Sequence, residues 1–255
     1  MKRTVLLLAV IFACLSSRVT AEELPVCGKI FVELKFSYSH RQPKWFGPDY
    51  WDFRHSSLFQ SGSFWCIKTK EPSMPSVIVS ASHVLGLNRP LISVIDSMSV
   101  DNVNVIIKHL QGRALMGVFA YPLAEIGRVG DAPDAVFLRP QNQQLYKTLC
   151  HVELAEAPPK RGEKVKIVGF PGTAHEQFKE GFVTDTQEGR GYFVLNEAVD
   201  KGYSGGVVLN NEGNAYGVIT STDPAEKQTT VYRITPAMIS KIEWKPAAPA
   251  LNHEF

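Results

Sequence analysis

The sequence predicts an all-β fold of the sandwich or barrel type, and three observations carry that prediction. Short runs rich in Val, Ile and Phe recur along the chain, each bounded by Gly, Pro, Asn or Asp. "NNEG" (210–213) sits between two such runs as a hairpin turn, with Gly213 supplying the positive φ. Only one segment, "TPAMISKIEWK" (235–245), has helical spacing, with Thr235 as N-cap, Pro236 at the first helical position and Met238, Ile239 and Ile242 on one face. At 255 residues, 44% hydrophobic and 20% charged, the chain is long enough for one large domain or two small ones around a real core.

The first residues stand apart from this pattern. "MKR" is followed by the apolar run "TVLLLAVIFACL" and a small-residue site ending at Ala21, which reads as a secretory signal peptide over residues 1–21. The run is shorter than the roughly 20 apolar residues a membrane span needs. Phe12 fits a lipidation box ending at Cys14 poorly. Without the leader, 27 basic residues become 24 against 25 acidic ones, so the mature charge is near −1 and gives no reason to expect nucleic acid or an anionic membrane surface as partner. No N-x-S/T sequon occurs, which favours a bacterial envelope, secreted or periplasmic, over a eukaryotic secretory route.

The strands follow in order: "KIFVELKFSY" (29–38), "GSFWCIKTK" (62–70), "SVIVSAS" (76–82), "NVNVIIKHL" (102–110), "ALMGVFAYPL" (114–123) and "DAVFLRP" (134–140). A seam falls near "LAEAPPKRGEK" (154–164), where two prolines interrupt the pattern. Beyond it come "KVKIVGFPG" (164–172), "GFVTDTQ" (181–187), "GYFVLNEA" (191–198), "GGVVLN" (205–210) and "AYGVITS" (215–221). Two β units of similar size are expected, a first over about 29–150 and a second over about 160–234, closed by the helix at 235–245.

"GYSGG" (202–206 counted from Gly202) places Ser204 among glycines, which suits a nucleophile in a tight turn and equally suits a plain turn. The α/β-hydrolase elbow needs a helix after the serine and an acid and a histidine further on; here a hairpin follows, so that reading fails. Upstream, "SVIVSASHVLG" places His83 where an apolar strand meets a turn, and "GDAPDAVFLRP" opens a strand at Asp134. Asp131 is the rival acid, but only Asp134 directly precedes "AVFL". A serine hydroxyl needs a base to become nucleophilic at neutral pH, and an imidazole that can take and return a proton is such a base. An acid beside the imidazole fixes its tautomer, and the chain order His, Asp, Ser is one of those in which such triads occur.

"VSASHVLG", "DAVFLRP" and "GYSGGVVLNNEGNAYGVI" together resemble the three catalytic blocks of the chymotrypsin/trypsin-like serine peptidases, most closely their compact bacterial, periplasmic-protease-like branch. The resemblance covers about residues 60–240. It implies two six-stranded antiparallel β-barrels with the active site in the cleft between them. It also implies His83, Asp134 and Ser204 as catalytic residues, and the backbone N–H groups of Gly202 and Ser204 as the oxyanion hole, a contribution of roughly 3 kcal/mol per donor. Gly202 and Gly205 would let the backbone take the necessary shape.

The departures from the family matter as much. Digestive members carry an Asp before the serine, which receives a new N-terminal amine on activation; Tyr203 stands there, so activation of that type is not expected. Ala198 occupies the position that is acidic in trypsin-like members, so a preference for Lys or Arg is not expected and a small or medium apolar side chain is. Thr220, Ser221 and Thr222 resemble the strand that binds the substrate backbone and lines the specificity pocket. Glu197 and Asp200 read as surface charges, and His175 as loop surface. Among relatives a bridge like Cys27–Cys150 is known, which would leave Cys66 free; the sequence itself leaves the pairing open.

The expectation is therefore a monomeric secreted serine endopeptidase acting on a polypeptide substrate without cofactor or metal. The alternative is a protease fold retired to binding. "KWFGPDYWDFRHSSLF" (44–59) reads as a loop packed on the first barrel, and the tail after 245 is too short for an appended peptide-binding domain.

Overall fold

The structure, a computed structural model, describes residues 26–42, 50–69, 76–85, 110–115, 123–130, 134–141, 146–147, 150–172 and 176–246. The segment read above as a leader with Cys14, Asp131, His175, most of the runs at 102–110 and 114–123, and the tail lie outside the described residues.

Strands dominate the described chain. β1 (Cys27–Gln42) and β2 (Tyr50–Ile67) form one long antiparallel hairpin whose ladder runs from Cys27↔Trp65 to Gln42↔Tyr50. The aromatic-rich segment from residue 50 onward is thus strand, not loop, because its alternating backbone finds a complete partner in β1. β3 (Val77–Ala81) pairs with the far end of β2, and β4 (Leu110–Leu115) pairs with the other side of β1. β5 (Leu123–Arg128) and β6 (Ala135–Pro140) extend the sheet beyond β3. β7 (His151–Val152) adds a short parallel bridge to β2, with Cys66 opposite His151.

The second unit is a closed six-stranded barrel in the order β10-β13-β12-β11-β8-β9. Its strands are β8 (Lys164–Gly169), β9 (Gln177–Gln187), β10 (Tyr192–Leu195), β11 (Val207–Leu209), β12 (Ala215–Asp223) and β13 (Gln228–Arg233). Inward residues alternate with outward ones along β8 and β9, which is the pattern a closed sheet requires. The turn at 210–213 forms as expected: Gly213 has φ +84°, and the Asn210 carboxamide oxygen accepts the N–H groups of Glu212 and Asn214.

One expectation, closure of the first unit, finds no support among the described residues, and another is corrected. The first unit is an eight-stranded sheet, and no ladder among the described residues closes it into a barrel. The outer edge of β5, which closure against β4 would use, is instead taken by β14 (Glu243–Pro246), with Trp244 opposite Gly127. The C-terminal helix is also shorter than expected. α1 (Pro236–Ile239) is a single turn with Pro236 in its first turn, the Thr235 side chain makes no cap hydrogen bond, and the chain straightens into β14 within four residues. Met238 and Ile239 on the turn and Ile242 just before β14 are partly buried against the core.

That core is continuous across the two units. Trp65, Val79 and Phe137 from the sheet pack with Val168, Val207, Val218 and Ile234 from the barrel side. A second cluster fills the barrel itself, with Phe193 and Tyr216 meeting edge to face at a centroid distance of 6.0 Å. Because buried apolar surface is shared, the sheet and the barrel hold each other in place, and residues at their junction are positioned from both sides.

Among the described residues the three thiols, Cys27, Cys66 and Cys150, are all free. Cys27 is buried at the junction, where its S–H donates to the Val168 carbonyl at 3.4 Å, whereas Cys150 is exposed at the start of β7. One faces the core and the other solvent, so the Cys27–Cys150 bridge is absent. Among the described residues no helix is long and apolar enough to cross a membrane.

Candidate active site

The register of two neighbouring strands brings His83 and Asp134 to one place. β3 and β6 are antiparallel with Ala81 opposite Ala135, so the residue just before β6 lies beside the turn just after β3. That turn is a short 3-10 segment, Ser82–Leu85, and it is pinned by Ser82 N–H donating to the Asp134 carbonyl at 3.1 Å. The Asp134 carboxylate then grips His83 twice. Oδ1 accepts the backbone N–H of His83 at 2.9 Å, and Oδ2 lies 2.7 Å from Nδ1. A carboxylate only accepts, so the shared proton sits on Nδ1 and Nε2 is left with its lone pair. The imidazole is 33% exposed and the carboxylate 18%, which shields the acid while the ring stays open to an incoming group.

Ser204 lies in the turn that leads into β11. The turn is held to the barrel by Gly205 N–H to the Ile219 carbonyl at 2.8 Å and by Ile219 N–H to the Gly206 carbonyl at 2.9 Å. It is held to the sheet by Ser63 N–H, which donates to the Ser204 carbonyl at 2.7 Å. Gly205 has φ +86°, and a Cβ there would come within 2.1 Å of the Ser63 carbonyl oxygen and 3.1 Å of the Ala81 nitrogen. The residue after the serine is therefore pressed against the end of β3, two positions before His83. Gly202 has φ +104°, and a Cβ there would meet the Phe170 carbonyl at 2.6 Å. Both positions admit glycine alone without displacement of backbone.

Two N–H groups of this turn have no acceptor among the described residues, those of Gly202 and Ser204. Their directions are nonetheless set. In a trans peptide the N–H and the preceding C=O point opposite ways. The Lys201 carbonyl accepts Gly172 N–H at 3.3 Å and the Tyr203 carbonyl accepts Gly206 N–H at 2.8 Å, so the N–H groups of Gly202 and Ser204 point away from those bonds. Between them the Tyr203 side chain turns inward, fully buried, with its ring against Gly169. Burial pushes the Tyr203 hydroxyl up to about 12, with Asp200, Cys27 and Glu197 adding to the effect.

The residues expected to bind substrate are held by hydrogen bonds within the barrel. Thr222 accepts the Val199 N–H at 3.3 Å and donates to the Gln228 carbonyl, which ties the segment after Ala198 to β12. Thr220 donates to the Thr230 carbonyl at 3.2 Å, and Ser221 is exposed. β12 has two neighbours up to Ile219; from Thr220 to Asp223 its ladder partner among the described residues is β13 alone. No described strand pairs with the other edge of β12 over those residues.

Sequence reasoning missed two features. Lys179 reaches the Ala198 carbonyl at 3.1 Å and lies 3.5 Å from Glu197 and 3.4 Å from Asp200, so these acids are paired rather than idle surface charges. Ser63 and Ser80 are both buried beside the Ser204 turn, where the Ser80 hydroxyl donates to the Ser63 carbonyl at 2.8 Å. A serine inside a strand carries no spacing signal that would have marked either one.

Comparison with known proteins gives the chain a family and a fold. The trypsin-like peptidase domain family matches residues 62–218, a segment that contains His83, Asp134 and Ser204. Among solved structures the chain is similar to the Rv3671c protease from M. tuberculosis in its active form, at 15% identity over 91% of this chain and 87% of that one, with a TM-score of 0.53. It is also similar to the serine endoprotease from Yersinia pestis, at 14% identity over 86% of this chain and 61% of that one, with a TM-score of 0.49. At 15% identity the likeness to the Rv3671c protease shows the fold alone. No curated protein matches the chain.

Proposed function

Because the chain belongs to the trypsin-like peptidase domain family, we propose that it is a serine endopeptidase in which His83, Asp134 and Ser204 carry the reaction. The observation that carries this reading is the double grip of Asp134 on His83, at 2.7 and 2.9 Å. A structural histidine needs one partner; an imidazole held in both tautomer and orientation is prepared to move a proton.

The Ser204 hydroxyl attacks the scissile carbonyl while His83 Nε2 accepts its proton, and Asp134 stabilises the imidazolium that forms. The Gly202 and Ser204 N–H groups receive the developing oxyanion, since nothing else among the described residues engages them. The proton on His83 passes to the leaving amine, and the acyl group stays on Ser204. Water, activated by the same imidazole, then releases the acid. The substrate is a polypeptide segment lying extended along the edge of β12, from Thr220 to Thr222, that no described strand pairs with. Ala198 and Thr222 border the side-chain pocket, which suits a small or medium apolar residue. Export through the leader, cut near Ala21, completes the reading, and the mature enzyme works as a monomer.

A fluorophosphonate probe tests it. Covalent labelling of the folded protein, abolished by Ser204→Ala, is the expected result. Folded protein that takes no label overturns the enzyme reading and leaves a binding protein on a peptidase fold.

A further inference from the structure

We infer that Ser63 is the positioning residue that sets the turn carrying Ser204; this rests on the peptidase reading above. Ser63 is fully buried, and every polar group it has is engaged. Its hydroxyl donates to the Gly202 carbonyl at 2.7 Å and accepts the Phe170 N–H at 2.7 Å. Its own N–H donates to the Ser204 carbonyl at 2.7 Å, and its carbonyl accepts the Ser80 hydroxyl at 2.8 Å. One residue of β2 thus holds the carbonyls on both sides of Tyr203, while Gly206 holds the Tyr203 carbonyl itself.

The consequence follows from peptide planarity. Holding the Gly202 and Ser204 carbonyls fixes the peptide planes before and after the one that bears the Ser204 N–H, so that plane cannot rotate alone. The second oxyanion donor is reached by a different path. The Ser63 hydroxyl anchors Phe170 N–H, and two residues on Gly172 N–H holds the Lys201 carbonyl, whose peptide bears the Gly202 N–H. A single hydroxyl therefore bears on the direction of both donors. The site demands a group that donates and accepts at once at a position that is fully buried. Alanine would leave a buried N–H and a carbonyl unpaired, and the turn would relax to find new partners. Such a turn still binds substrate but aims its donors away from the oxyanion, so acylation suffers and ground-state binding does not.

The experiment uses p-nitrophenyl acetate, which reports acylation and binding separately, together with fluorophosphonate labelling and amide hydrogen exchange read by mass spectrometry on the whole protein. Ser63→Ala is expected to slow acylation by about 30- to 100-fold, below the loss of a whole oxyanion donor, with the binding constant within about threefold of the parent. The inflection of the pH–rate profile stays in place, because neither His83 nor Asp134 has a described hydrogen bond to Ser63. Ser63→Thr, which restores the hydroxyl, recovers most of the rate. Exchange in 168–172 and 202–206 quickens in Ser63→Ala, while 177–187 is unchanged. A folded Ser63→Ala protein that acylates at the parental rate overturns the inference. So does a loss that appears equally in binding, or one that shifts the pH inflection. Should the parent itself take no label at Ser204, the peptidase reading falls separately, and the exchange arm alone decides Ser63: faster exchange in the two segments supports the clamp, and unchanged exchange refutes it.

Discussion

Replacing Asp134 by Asn changes one atom and almost no volume, yet it should remove nearly all activity. The carboxylate accepts two hydrogen bonds from His83, one from the backbone N–H and one from Nδ1. Asparagine has one oxygen and one NH2 group to offer these two partners. The backbone N–H cannot become an acceptor, so the oxygen stays with it, and the NH2 must face Nδ1. The imidazole can accommodate this by moving its proton to Nε2, which is the nitrogen that should receive the proton of Ser204. The opposite amide orientation would set two donors against each other across 2.9 Å. The wrong tautomer is therefore the stable one, and a loss of about 10⁴-fold is expected, equivalent to roughly 5.4 kcal/mol at about 1.36 kcal/mol per decade. The assay is the pseudo-first-order rate of fluorophosphonate labelling at neutral pH, alongside urea unfolding to show that the variant folds. A folded Asp134→Asn protein that labels within about tenfold of the parent would refute the assignment of Asp134, and with it the argument from the double grip.

Three further outcomes follow from the packing and the buried groups. Burial raises the Cys27 thiol well above its ordinary value and pushes Cys66 up to about 12, so a thiol reagent at mildly alkaline pH should modify Cys150 alone in the folded protein and all three after unfolding; rapid modification of Cys66 would contradict the described burial. Phe137 is fully buried in the shared core, and Phe137→Ala should cost roughly 3–5 kcal/mol in urea unfolding, with a cost below about 1 kcal/mol showing that the sheet and barrel are not packed through it. Burial also holds the Glu176 carboxyl above the usual carboxylate range, although its Oε1 accepts the Cys27 N–H at 2.8 Å. A folded-state value above the unfolded one means the folded chain binds the proton more tightly, so stability falls as pH rises from the unfolded value through the raised one. Glu176→Gln keeps the acceptor and removes the charge. Its melting temperature should exceed the parent's at about pH 8 and converge with it near about pH 4, and a deficit at the higher pH would reverse the argument.

Strands such as β3, β6 and β8 were legible because a Val- and Ile-rich run bounded by Gly, Pro or Asp has few other ways to bury its side chains. β13 was not, since "QTTVYR" mixes Thr and Gln with its apolar residues and gains its place only by pairing with β10 and β12. β14 is four residues long and ends in Pro; nothing local favours it, and the free edge of β5 alone makes it a strand. That same contact is where the predicted helix gives way to strand.

The amino-acid order by itself determined which residue types stand where: an imidazole after an apolar strand, a carboxylate before another, a serine between glycines that admit positive φ. It also determined a β architecture, because periodicity and turn residues act over a few neighbours. Only the tertiary structure decided the 2.7 Å contact between His83 and Asp134, the β12 edge that no described strand pairs with and the clamp of Ser63 on a turn 139 residues away. Those depend on register between strands and on a core shared by two units. Register is set by the sum of many side-chain contacts across the sheet, a quantity that no local stretch of sequence contains.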